Sequence, residues 1–142
     1  VFHSYRHDDQ NLAWDLWVVP AAGGGEVRLT AAFEPDAFNP QWSPDGSRIA
    51  FRADISGPVW VIPAAGGQAL QLTTLGINGG FQWSPSGQEI AFASGPIFDQ
   101  DIWVVPAAGG DAVRLTTEPG SFHVWVGGDS NADLRATFTL SE

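Results

Sequence analysis

All three histidines of this 142-residue chain, His3, His7 and His123, lie near its two ends. Imidazole binds zinc and similar divalent ions, and carboxylates complete the ligand set where thiolates are missing. Cysteine is absent, which excludes thiolate ligands and disulfides outright. His7 is followed directly by Asp8 and Asp9. If the two ends of the chain meet those of another copy, His3, His7, Asp8 and His123 converge as a metal-ligand set. Zinc or manganese suits such a set better than calcium. An open coordination position would then activate water against an ester, lactone or phosphoester. The plainer reading is that histidines and aspartates on loops are simply solvated. Asp9, Trp14, Glu34 and Asp36 are candidates for contacting an organic ligand near the same rim, with Asn39 beside them.

Other catalytic signatures are missing. There is no G-x-S-x-G turn to expose a nucleophilic serine and no H-E-x-x-H zinc helix. Lysine is absent, so a phosphate-binding P-loop is impossible. Asp129, Asn131 and Asp133 open like a calcium loop, but Leu134 stands where glycine is required and Leu140 where the bidentate glutamate belongs. The net charge of −10 with only six cations argues against nucleic acid and against an anionic membrane surface. No stretch is apolar for long enough to be a spanning helix, and the chain enters strand-like sequence at Val1 with no leader pattern. Processing or truncation is the expected origin of that end.

The elements that must position these residues are repeated. Asp15 to Gly24 reads DLWVVPAAGG, Val59 to Gly67 reads VWVIPAAGG, and Asp101 to Gly110 reads DIWVVPAAGG. Pro20, Pro63 and Pro106 are spaced by 43 residues. FNPQWSPDG ends at Gly46 and GGFQWSPSG at Gly87, while RLT or QLT ends at Thr30, Thr73 and Thr116. In Ser43-Pro44-Asp45-Gly46 the proline supplies a φ near −65° and the glycine a positive φ, which joins two antiparallel strands. Arg48 to Arg52 then alternates large apolar with small or polar side chains, as Glu89 to Ala93 does. The Leu16–Val19 run is apolar throughout, the pattern of a strand covered on both faces. Asp15 and Asp101 recur just before that strand, with Val59 read as their replacement in the second copy. Trp17, Trp60 and Trp103, together with Trp42 and Trp83, read as core. Four short strands per repeat of about 42 residues, with no helical periodicity, is the signature of a β-propeller blade.

The order W-S-P-D-G, I-A-F, D-[IL]-W-V-V-P-A-A-G-G and L-T resembles the TolB-like propeller repeat, a relative of the WD-type repeats. The resemblance runs from Val1 to Trp125. It implies an all-β fold and a ring of six blades, and it leans towards a periplasmic or secreted setting. It carries over no catalytic residue, because the shared positions are structural.

With blade strands labelled A to D from the inside outward, the chain reads B-C-D, A-B-C-D, A-B-C-D, A over residues 1–125. Residues 126–142 diverge, although Leu134 to Leu140 suits an additional strand. Three blades are too few to close a ring, whereas two chains supply six. An open stack would leave an apolar sheet face at each end. The expectation is therefore a homodimeric six-bladed ring that binds a small molecule or a protein at its mouth, with the metal-dependent hydrolase as the alternative. The first loop between strands B and C is the longest: Phe2 to Trp17 spans 15 positions, against 9 for Phe51 to Trp60 and 11 for Phe92 to Trp103.

Overall fold

The computed structural model describes residues 1–5, 14–77, 79–96, 98–116, 121–125 and 135–139. The described residues hold thirteen strands: β1 (Phe2–Tyr5), β2 (Trp14–Val18), β3 (Val27–Arg28), β4 (Ala37–Trp42), β5 (Arg48–Ala53), β6 (Val59–Pro63), β7 (Leu70–Gln71), β8 (Phe81–Trp83), β9 (Glu89–Ser94), β10 (Asp101–Pro106), β11 (Val113–Arg114), β12 (Ser121–Trp125) and β13 (Arg135–Thr139). They form four antiparallel sheets, in the orders β1-β2-β3, β4-β5-β6-β7, β8-β9-β10-β11 and β12-β13. Register repeats with the sequence: Phe2 lies opposite Trp17, Phe51 opposite Trp60, and Phe92 opposite Trp103. Among the described residues no helix is long and apolar enough to cross a membrane.

The core lies between the sheets, and strand alternation decides which sheet each residue faces. Ile49, Phe51 and Ile62 join Leu16 and Leu29 in one cluster, so these side chains of the second blade face the first. Ala50, Val59 and Val61 point the other way and pack with Phe81, Trp83, Phe92 and Val105 of the third blade. Leu16 and Val18, which match Val59 and Val61, pack in the first of these clusters. Trp17 and Val19 therefore turn away from it, and Val19 is 43% exposed. Cover on both faces thus holds for the second blade but not for the first, where no sheet among the described residues packs on the Val19 side.

Each blade is tied across its outer strands by a threonine. The Thr30 hydroxyl accepts from Leu16 N (3.0 Å) and donates to Asp15 Oδ1 (2.7 Å), while Arg28 pairs with Asp15 Oδ2 at 2.7 Å. Thr116 does the same with Ile102 N and Asp101 Oδ1, and Arg114 lies 2.8 Å from Asp101. In the second blade Thr73 accepts from Val59 N. Val59 therefore corresponds to Leu16 and Ile102, and Pro58, not Val59, occupies the place of the aspartate. A proline offers no acceptor side chain, so the Thr73 hydroxyl donates to Leu75 O instead (3.0 Å). The arginine changes with it: Gln71 stands in its place and donates to Thr73 O at 2.8 Å.

The turn after β4 is built as its sequence demands. Gly46 adopts φ +69°, and Gly46 N donates to Ser43 O at 2.9 Å. Asp45 accepts from the Ser43 hydroxyl (2.6 Å) and from Ser47 N (3.0 Å). Donation from Ser43 first, then from Ser47, lowers the Asp45 pKa to about 2.

Candidate functional site

The second and third blades are clasped by polar groups as well as by the core. Arg48 donates through Nη1 to Ala107 O (3.0 Å) and through Nη2 to Gly87 O (2.7 Å), with its guanidinium 5.1 Å from the Trp83 ring centre. Gln41 Nε2 donates to Phe81 O at 2.8 Å, and Trp83 Nε1 returns a bond to Gln41 O at 3.2 Å. Trp83 is only 5% exposed under this cover.

Trp42, its repeat counterpart, is 40% exposed, which corrects the expectation that it is core. The physical reason is the three-stranded first sheet. It has no innermost strand among the described residues, so nothing there supplies the acceptor that Gln41 O gives to Trp83. The far face of the third blade is open in the complementary way. Gly80, Phe81, Gln82, Ala91, Ala93 and Ile102 line a shallow apolar hollow of about 300 Å³ there. On the second blade, Gln41, Ala50, Arg52 and Val59 hold the places of Gln82, Ala91, Ala93 and Ile102, on the face that meets the third blade.

A different cavity, of about 650 Å³, lies between the first and second blades, lined among others by Leu29, Phe33, Glu34, Trp60, Ile62 and Gln68. Phe33 packs edge-on against both Phe51 (5.1 Å) and Trp60 (5.0 Å). The Trp60 indole N–H is buried and has no hydrogen-bond partner, a state shared by Trp103 and so a property of the repeat rather than of this cavity. The wall is mostly apolar, and among the described residues that line it Glu34 alone is ionisable.

Of the residues singled out by sequence, Glu34 lines this cavity. Asp36 accepts from Trp14 N at 2.8 Å, and Asp54 N donates to Asp36 O at 2.8 Å, so Asp36 ties the start of β2 to the second blade. The Trp14 ring lies 5.7 Å from that of Phe38. His3 falls on β1 and His123 on β12, in separate sheets. His7, Asp8 and Asp9 lie outside the described residues. Among the described residues no group of three His, Asp or Glu side chains is placed to hold a metal ion. Sequence reading misses Phe33 and Gln68. The available signal is loop length: Thr30 to Trp42 spans 12 positions and Thr73 to Trp83 only 10.

No protein-family model and no curated protein matches the chain. Solved structures do. The crystal structure of TolB from Acinetobacter baumannii superposes with a TM-score of 0.59 at 18% identity, over 78% of this chain and 28% of that one. A structure described as a TolB from Agrobacterium tumefaciens gives 0.59 at 24% identity, over 80% of this chain and 42% of that one. The fold is a TolB-like β-propeller. This TolB-like chain spans less than half the length of either structure, and at these identities the likeness speaks for the fold alone.

Proposed function

We propose that this chain is half of a six-bladed ring, that a second copy supplies the other half, and that the closed ring serves as a binding scaffold. The observation that carries the reading is the contrast between Trp42, 40% exposed, and Trp83, 5% exposed. Equivalent residues of one repeat differ because, among the described residues, one lacks a neighbouring inner strand. In the closed ring, β12 of the second copy lies innermost beside β1 and completes that sheet to four strands. Its backbone then gives Trp42 the acceptor that Gln41 O gives Trp83. At the same junction the Ile102 face of one copy covers the Trp17 and Val19 face of the other. Two apolar faces are removed from water by one head-to-tail contact, used twice.

In the described chain β12 pairs instead with β13, Trp125 opposite Arg135 and Ser121 opposite Thr139. Ring closure therefore requires β1 to take the β13 edge of β12. Association is tested by measuring mass against concentration for the native chain and for Trp42→Ala. The variant is expected to weaken association by about tenfold or more, as removal of a central aromatic does at protein interfaces, with far-ultraviolet dichroism unchanged. Equal association by both chains would overturn the reading.

A further inference from the structure

The geometry points to the cavity between the first and second blades as a site for an organic cation, an ammonium or guanidinium carried on an apolar stem. The cavity departs from the repeat. It sits beneath the connection from Thr30 to Trp42, two positions longer than its counterpart from Thr73 to Trp83, and that longer connection supplies Phe33 and Glu34 to its lining. In the second crevice a loop residue, Ile77, is 0% exposed and packed into the core with Leu72 and Val105. In the first, Phe33 is only partly buried and packs at the edge of the core cluster, and about 650 Å³ stays open, within the range of small-ligand pockets.

The lining sets the chemistry. Leu29, Phe33, Trp60 and Ile62 offer aliphatic and aromatic surface for an apolar stem. Glu34 is exposed at this wall, and none of the ion pairs among the described residues engages it. Gln68, on the same lining, adds an amide acceptor. An aromatic wall with one carboxylate attracts a cation through both the ring quadrupole and the opposite charge. The net charge of −10 favours the same sign of ligand at longer range. A lysine or arginine side chain within a peptide and a free alkylamine share this chemistry. The site lies wholly within one chain and does not rest on ring closure.

The test uses the whole chain and follows the tryptophan indole N–H resonances during titration with three probes. These are n-butylammonium, a blocked tripeptide with central lysine, and the same tripeptide with norleucine in its place. The expected result is saturable millimolar binding of at least one cationic probe, weakened about three- to tenfold in Glu34→Gln and reduced by salt. Binding of the tripeptide alone would assign the source to a polypeptide, and binding of both would extend the site to free amines. Norleucine binding as tightly as lysine, no effect of Glu34→Gln, or no saturation by either cation would overturn the assignment. Mass recorded on the same samples separates this outcome from that of ring closure.

Discussion

The guanidinium of Arg48 lies 5.1 Å from the centre of the Trp83 ring, and this side chain helps to tie the second blade to the third. Its two bonds, to Gly87 O and Ala107 O, span 39 and 59 positions of sequence. Both acceptors are backbone carbonyls in a partly buried setting, where a charged donor is worth more than at the surface. Arg48→Ala should therefore lower stability by about 2–3 kcal/mol. Arg48→Lys should recover part of the loss, since it keeps the charge but not the planar fork. Chemical denaturation reads both, and a change below about 0.5 kcal/mol in Arg48→Ala would remove the clasp from the account.

On the third blade the place of Arg48 is taken by Glu89. Arg48 lies opposite Pro63, and Glu89 lies opposite Pro106. A carboxylate cannot donate to carbonyls, so a junction formed by the outer face of the third blade lacks the clasp that joins the second blade to the third. Association through that face should accordingly be reversible, and Glu89→Arg should tighten it by about tenfold. Sedimentation of the two proteins over a dilution series makes the comparison. A looser Glu89→Arg assembly would contradict the assigned junction.

Thr30 satisfies a buried backbone N–H, that of Leu16, and is itself 2% exposed. Valine has nearly the same shape but no acceptor, so Thr30→Val should cost about 1–3 kcal/mol. Serine keeps the acceptor and loses only a methyl group, so Thr30→Ser should cost about 1 kcal/mol. The order of unfolding midpoints, native above Ser above Val, is the readout. A Thr30→Val midpoint equal to the native one would show that the hydroxyl contributes nothing.

Asp45 has a folded pKa of about 2, against an ordinary value of 3.8. A carboxyl held low in the folded state stabilises the fold above its ordinary value, and the contribution disappears as pH falls from 3.8 towards about 2. Asp101, lowered by Arg114 and then Thr116, acts in the same direction. Asp45→Ala should therefore show a flatter fall in unfolding midpoint across that acid window than the native chain. Curves that stay parallel through the window would mean that the turn is not held by the ionised carboxylate.

The blades were legible because their signals are local. Proline and glycine fix the turns at Pro44 and Gly46, and alternation in β5 assigns Ile49 and Phe51 to one face and Ala50 to the other. The hydrogen bond from Val59 N to Thr73 sets Pro58 in the place of the aspartate, one position before the residue that motif spacing points to. The Arg48 clasp and the Phe33–Glu34 cavity were not legible, because both arise only when separate repeats pack. Trp42 differs for a related reason: its type marks a core position, but its cover depends on an inner strand that the first sheet lacks among the described residues. His3, His7, Asp8 and His123 share no motif, and His7 and Asp8 lie outside the described residues.

The proposed ring closes only with two copies of the chain. Sedimentation equilibrium across a dilution series tests it most directly, because neither shape nor fold enters the mass. The account predicts a species of twice the 15.1 kDa chain that gives way to the single chain only on dilution. A folded species of single-chain mass at every concentration, or an assembly of more than two copies, would contradict it.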